Sequence, residues 1–268
     1  MRTVHPLFEA LWESYAAVTP SALAIQAHLE ERGEVVVNDH VALRTFDRAP
    51  MAVGVIAAPF LDLGYVEAGR YAFAQKQLDA RAYSHPEGDP WPRVFISELR
   101  TGSLPPAQRA IIDGLVDQLA EPLQARHLSA GCPWAPVSWE DYAALLSVSE
   151  YAAWVAAFGL RANHFTVAVN ALTTFGAPPL VHLNDWIESL GHPLNAAGGK
   201  IKGSPQVLLE QSSTLADAAP VAFASGQIVE IPSCYVEFAL RHPEPGGGLF
   251  DGFVTESADK IFESTDRR

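Results

Sequence analysis

The sequence predicts an α+β fold, and three observations lead there. Strand-like segments fall into two groups, at about 35–100 and 163–240, each accompanied by helical segments. A largely helical stretch, about 105–158, separates the groups. No regular βαβα alternation runs through the chain, which argues against a doubly wound sheet. A chain of 268 residues fits one domain, residues 1–268, with the helical stretch as an elaboration.

Taken in order, residues 6–16 read as a helix. A second begins at Thr19, a plausible N-cap, with Pro20 in the first turn and Gly33 as its stop. EVVVNDHVALRTF is strand-like, with a possible break at Asn38-Asp39. Residues 52–63 read as helix, and YAFAQKQLDARAY and RVFISEL as extended segments around the loop HPEGDPWP. Residues 105–124 and 139–158 carry apolar residues at helical spacing, with Ser138 and Asp141 resembling a capping box and Gly159 a stop. NHFTVAVNAL is a strand and 178–190 a helix ending at Gly191. GGKIKGSPQVLLEQSS reads as a glycine-rich loop leading into a short helix at Pro205. VAFASGQIVEI reads as a hairpin turning at Ser225-Gly226, and CYVEFALR as a strand. The tail ends in an amphipathic helix. The two strand groups are expected to be two structural halves, although no sequence repeat links them.

Composition excludes several function classes. The chain is 49% hydrophobic and 18% charged, with a net charge of −13. Nucleic acid and anionic membrane would both be repelled. No apolar run approaches the ~20 residues that span a bilayer, and MRTVHPLFEALWESY does not read as a secretion signal. Two cysteines make no disulfide framework, so a reducing cytoplasmic setting is expected. An anionic substrate would need a local cation, either a metal ion or a buried Arg.

Three strands share one oddity. A period of two places His40, Ala42 and Arg44 on one face of NDHVALRTF, against Val41, Leu43 and Thr45. In NHFTVAVN, His164, Thr166 and Ala168 oppose Phe165, Val167 and Val169. In CYVEFALR, Glu237 opposes Val236 and Phe238. Each strand has an apolar face and, on the other, a metal-capable side chain beside small residues. Two imidazoles and a carboxylate are the set typical of non-haem Fe(II) oxygenases, and Zn²⁺ accepts the same set. Arg44 lies roughly 13 Å along the strand from His40 by strand rise, and its guanidinium suits bidentate capture of a carboxylate. The plain alternative is a surface Arg paired to Asp39 or Asp47. Spacing alone therefore leaves three readings open: an Fe(II) dioxygenase, a hydrolase, isomerase or lyase using Zn²⁺ or another divalent ion, and a metal-free carboxylate-binding module.

Other candidates carry less. His85 sits in a loop, and His182 with Asp185 forms a polar helix stripe. GGKIKGS reads better as a tight loop with solvated lysines than as an anion cradle. Cys234 lacks a base partner and reads as buried and inert.

The blocks NDHVALRTFD, NHFTVAVN, GGKIKGSPQVLLEQSS, IPSCYVEFALR and FDGFVTESADKIFES, in this order, resemble the 2-oxoadipate dioxygenase/decarboxylase family, also called hydroxyglutarate synthases. The chain is similar to a compact form of it. The resemblance implies a vicinal-oxygen-chelate-like mixed β-sheet core, a partial barrel around a metal site, decorated by helices. It implies Fe(II) held by His40, His164 and Glu237, and substrate held by Arg44, with Ser257 near the last helix contacting substrate. The implied reaction is oxidative decarboxylation of a 2-oxo dicarboxylic acid by O₂, with hydroxylation of the same molecule. For 2-oxoadipate the products are 2-hydroxyglutarate and CO₂, a step of lysine breakdown.

Overall fold

The computed structural model describes residues 4–119 and 123–265. Two helices open the chain, α1 (Pro6–Ala16) and α2 (Pro20–Glu31). Leu7, Phe8, Leu11 and Tyr15 put one buried stripe on α1. Thr19 precedes α2 without capping it. It is buried, and its hydroxyl donates back to the Tyr15 carbonyl at 2.7 Å instead.

The first half of the core follows: β1 (Asn38–Phe46), α3 (Val53–Asp62), β2 (Val66–Phe73), β3 (Leu78–Ser84) and β4 (Arg93–Leu99). Then come α4 (Pro106–Val116), α5 (Trp139–Leu146) and α6 (Glu150–Phe158). The expected 105–124 helix stops at Val116, and residues 120–122 lie outside the described residues. The expected 139–158 helix is two helices. Ser149 restarts the chain as an N-cap, its side chain accepting from Ala152 N at 3.1 Å. Ser138 caps α5 in the expected way, accepting from Asp141 N.

The second half runs β5 (Ala162–Ala168), α7 (Pro179–Ser189), β6 (Lys202–Ser204), β7 (Leu209–Ser213), a hairpin of β8 (Ala218–Ala222) and β9 (Ile228–Pro232), β10 (Tyr235–Arg241), and α8 (Thr255–Ile261). GGKIKGSPQVLLEQSS thus holds the expected short helix at Pro205, but between two paired strands and not after a loop. Its 3-10 turn at Pro205–Val207 reverses the chain tightly, with Leu208 at φ +62°. Gly203 faces the Leu209 carbonyl so closely that a Cβ would lie 2.1 Å from that oxygen.

Eight strands form one mixed sheet in the order β2-β3-β4-β1-β5-β10-β7-β6. In the first half β1 lies parallel to β4, and in the second β5 lies parallel to β10. Each half is therefore a strand, a helix and three more strands, the last returning beside the first. The β8-β9 hairpin is an insertion in the second half, packed through Phe223 on Trp139 and Tyr142. The halves join through the antiparallel pair β1-β5.

The sheet curls strongly. Laid flat, eight strands would span about 34 Å at ~4.8 Å per step. Yet α8, seven residues or about 10 Å long, touches both edge strands, β2 and β6. The sheet is a partial barrel with α8 across its opening. Outside, α1 packs on β5, α2 on β10, and α3 on β1 and β4. The apolar faces of the three marked strands meet these helices, and their polar faces look inward.

One buried carboxylate braces the approach to β1. Glu34 accepts hydrogen bonds from Thr173 N at 2.9 and 3.0 Å and from Thr174 N at 2.6 Å. Burial alone would raise its pKa, but these bonds outweigh burial and leave it below its ordinary value of 4.5. The unfolded chain therefore binds the proton more readily, and this stabilisation is present above pH ~4.5 and fades on further acidification. Glu34→Gln should cost about 1–3 kcal/mol at neutral pH, because an amide NH₂ would face backbone donors. Urea unfolding at pH 7 and pH 3.5 should show the gap between the two proteins narrowing at the lower pH.

Candidate metal centre

The strand register builds the site in rows. His40 stands opposite Thr166, and Thr166 opposite Glu237, across β1, β5 and β10. The next row holds Ala42, His164 and Tyr235. Arg44 lies two residues further along β1. Thr166 and Ala42 are small, so the space between the larger side chains stays open.

His40, His164 and Glu237 are all buried, and one ligand atom from each lies within 4.8 Å of the others. His40 Nε2 is 3.4 Å from Glu237 Oε1, and His164 Nε2 is 3.2 Å from Glu237 Oε2. Among the described residues this is the group of His, Cys, Asp and Glu able to hold a metal ion.

The surrounding hydrogen bonds fix which nitrogen carries the lone pair. Asp39 Oδ1 accepts from His40 Nδ1 at 2.7 Å, and Asn163 Oδ1 from His164 Nδ1 at 3.2 Å. Both Nε2 atoms thereby face the Glu237 carboxylate, and His40 Nε2 also meets the Thr166 hydroxyl at 3.0 Å. Burial, with His40 and Arg44 nearby, lowers the His164 pKa well below its usual value, so the ring is neutral. Burial raises the Glu237 pKa, partly offset by His40 and by Gln211, whose amide donates to Oε1 at 2.5 Å. Two imidazole nitrogens turned on a buried carboxylate form a donor set that fits a divalent cation.

Asp39 is itself clamped. Arg241 donates to both its oxygens, from Nε at 2.7 Å and Nη2 at 2.8 Å. Burial would raise the Asp39 pKa, yet Arg241 and His40 outweigh it and hold the carboxyl well below the usual range. The other arm of Arg241 holds Phe250 O and Gly252 O. That segment delivers Phe253 edge-on to the His40 ring at 4.9 Å.

Arg44 is no surface residue and pairs with neither Asp39 nor Asp47. It is 1% exposed. Its Nη1 meets Glu150 at 3.2 Å and its Nη2 meets Thr265 Oγ1 at 3.0 Å. Its guanidinium lies 5.0 Å from the Tyr151 ring centroid and 5.2 Å from that of Trp154. The triad and Arg44 line one small cavity of about 20 Å³, closed by Phe95, Phe253, Ile261 and Phe262. Ser257 is buried on α8, its hydroxyl against Gly203, while Ala258 and Ile261 are the α8 residues that line the cavity.

The remaining candidates have structural partners. His85 bonds Leu63 O and stacks on Trp91, and His182 bonds Gly176 O. Lys202 of the glycine-rich segment is buried and bonded to Asn195 O, not solvated. Cys234 is fully buried, which pushes its thiol up to about 12. Sequence reasoning passed over Asp39, Asn163, Gln211, Arg241, Glu150 and Tyr235. A signal existed for two of them: Asp39 and Asn163 each immediately precede a ligand histidine.

A family model described as 2-oxoadipate dioxygenase/decarboxylase matches residues 2–251. A rice (Oryza sativa subsp. japonica) protein named 2-oxoadipate dioxygenase/decarboxylase, chloroplastic/amyloplastic, is 34% identical over 258 residues, covering 87% of this chain and 70% of its own. Among solved structures, rice hydroxyglutarate synthase in complex with 2-oxoadipate superposes with a TM-score of 0.91 at 32% identity, over 97% of this chain and 91% of that one. A Shewanella frigidimarina NCIMB 400 protein described as a candidate hydrolase has a TM-score of 0.87 and 46% identity, over 95% and 99%. The fold, two joined halves in a curled mixed sheet, is of the vicinal-oxygen-chelate type. A glyoxalase-superfamily protein of Ralstonia eutropha JMP134 shares it with a TM-score of 0.74 at 23% identity, over 92% and 84%. From the family match and the rice relative, the chain belongs to the 2-oxoadipate dioxygenase/decarboxylase family, a family of oxidoreductases.

Proposed function

We propose that this protein is an Fe(II)-dependent dioxygenase that oxidatively decarboxylates and hydroxylates a 2-oxo dicarboxylic acid. The first substrate is 2-oxoadipate, converted with O₂ to 2-hydroxyglutarate and CO₂. The observation that carries this reading is the shared cavity: two inward-facing imidazole nitrogens and a buried carboxylate at one end, and a buried arginine at the other. The 2-oxoadipate bound to the rice relative supports the choice of acid. We read residues 1–268 as one domain of this kind, its helical stretch an elaboration. Among the described residues no helix is long and apolar enough to cross a membrane; we read the setting as cytoplasmic from the two free cysteines.

In this reading His40, His164 and Glu237 hold the metal and Arg44 the substrate, with Ser257 supporting from α8. Fe(II), when bound, supplies the O₂ chemistry, which no side chain here can perform. Asp39 and Asn163 hold the Nδ1 protons, so each imidazole presents Nε2 inward. Gln211 fixes the Glu237 carboxylate. Arg44 offers its unpartnered Nε donor to the far carboxylate, and the phenyl rings of Phe95, Phe253 and Phe262 keep bulk water out.

Glu237→Ala should fold and lose stoichiometric metal. Elemental analysis paired with circular dichroism checks this, and a folded variant with full metal content would refute the ligand assignment. Asn163→Ala should weaken metal binding by roughly 10- to 100-fold with little loss of stability, because it only loosens the His164 ring. On Fe(II)-loaded protein, 2-oxoadipate should drive O₂ uptake matched one-to-one by CO₂ and 2-hydroxyglutarate. Turnover that proceeds without O₂ would overturn the dioxygenase reading.

A further inference from the structure

Seven buried side-chain polar atoms among the described residues have no hydrogen-bond partner. Four of these belong to residues lining the one cavity: Arg44 Nε, Asn163 Nδ2, Gln211 Oε1 and Tyr235 Oη. Leaving a buried polar group without a partner is costly, so a cluster of them marks a place where a polar ligand completes the bonding.

Tyr235 stands out within the four. It is 0% exposed, and its ring stacks on His164 at 4.7 Å and 29°. Its backbone carbonyl is held by the Tyr15 hydroxyl at 2.8 Å. Phenylalanine would serve the stacking equally well and would spare the orphaned hydroxyl. The rows also give its depth. Tyr235 shares a row with His164 and Ala42, between the row of His40 and Glu237 and the position of Arg44. Tyr235 thus lines the same cavity as Arg44, His40 and Glu237, one row from each along the sheet.

Arg44 explains why a second donor is needed. Glu150 and Thr265 engage its two terminal nitrogens, and the guanidinium nitrogen left without a partner is Nε. A carboxylate has two oxygens, and Nε supplies one donor.

We infer that Tyr235 is a second substrate-binding residue, whose hydroxyl and Arg44 Nε each donate to the distal carboxylate of the 2-oxo dicarboxylic acid. Tyr235 thereby sets the preference for a diacid over a 2-oxo monoacid of equal length. This rests on the function proposed above and deepens it.

The test is Tyr235→Phe, measured by anaerobic calorimetric titration of Fe(II)-loaded protein with 2-oxoadipate and with 2-oxohexanoate, which lacks the distal carboxylate. Wild type should prefer 2-oxoadipate. In Tyr235→Phe that preference should fall roughly 10- to 100-fold, the range for one hydrogen bond to a charged group. Affinity for 2-oxohexanoate, iron content and melting temperature should stay at wild-type values or, for the last, rise. A variant that keeps the full preference, while Arg44→Met loses it, would overturn the Tyr235 assignment and leave the proposed function standing. Wild-type protein that does not distinguish the two acids would overturn both.

Discussion

A carboxylate buried between two lone-pair nitrogens is an unfavourable arrangement unless positive charge sits among them. The rest of this structure depends on that constraint. Glu237, His40 and His164 come from three adjacent strands that run in different halves or directions of the sheet, and the pairing of β1 with β5 and β5 with β10 places them in register. Curling the sheet removes their faces from water, and α8 closes the opening. Every layer then works to keep the lone pairs aimed inward: Asp39 and Asn163 on the rings, Gln211 on the carboxylate, Arg241 on Asp39. A metal-free core of this kind would be better served by apolar side chains of similar volume.

Much of this was legible in the sequence. Alternation with period two is robust when one strand face packs on helices, and it marked His40, His164 and Glu237 as facing the same way. The equivalence of the halves was legible only as two groups of strands. Their common topology rests on β6 and β7, which glycine and proline disguised as loop. Lys202 and Gln211 sit in that disguised pair, so the group that fixes Glu237 could not be found. Helix breaks were missed where Ser147-Val148-Ser149 interrupts an otherwise helical spacing, since a serine reads as a surface residue until its side chain is seen to cap.

Arg44 shows where local geometry stops being informative. Its position on the inward strand face was visible, but its partners come from 106 and 221 residues away. No local rule connects Glu150 or Thr265 to it. Those contacts change its role. A guanidinium free at all its nitrogens would grip a carboxylate by itself. One anchored by Glu150 and Thr265, above two aromatic rings, is fixed in place at the expense of donors, and its remaining donor needs help. Preorganisation of this kind lowers the ordering cost when a ligand arrives.

The same pairing governs the charge of the cavity. Arg44 is balanced by Glu150, and Arg241 by Asp39. Neither arginine therefore contributes much net field, in a protein whose overall charge is −13. Lys202 is buried with its ammonium on Asn195 O and Lys200 O, and burial lowers its pKa to about 8, so it remains largely charged at neutral pH beside this cavity. In the function proposed above, a divalent ion beside Glu237 would add positive charge at that end of the cavity and help draw in a dianion against the global field. The arginine end, nearly neutral as a pair, would then select by hydrogen-bond geometry more than by charge. Attraction would reside at one end of the cavity and discrimination at the other, with Tyr235 between them.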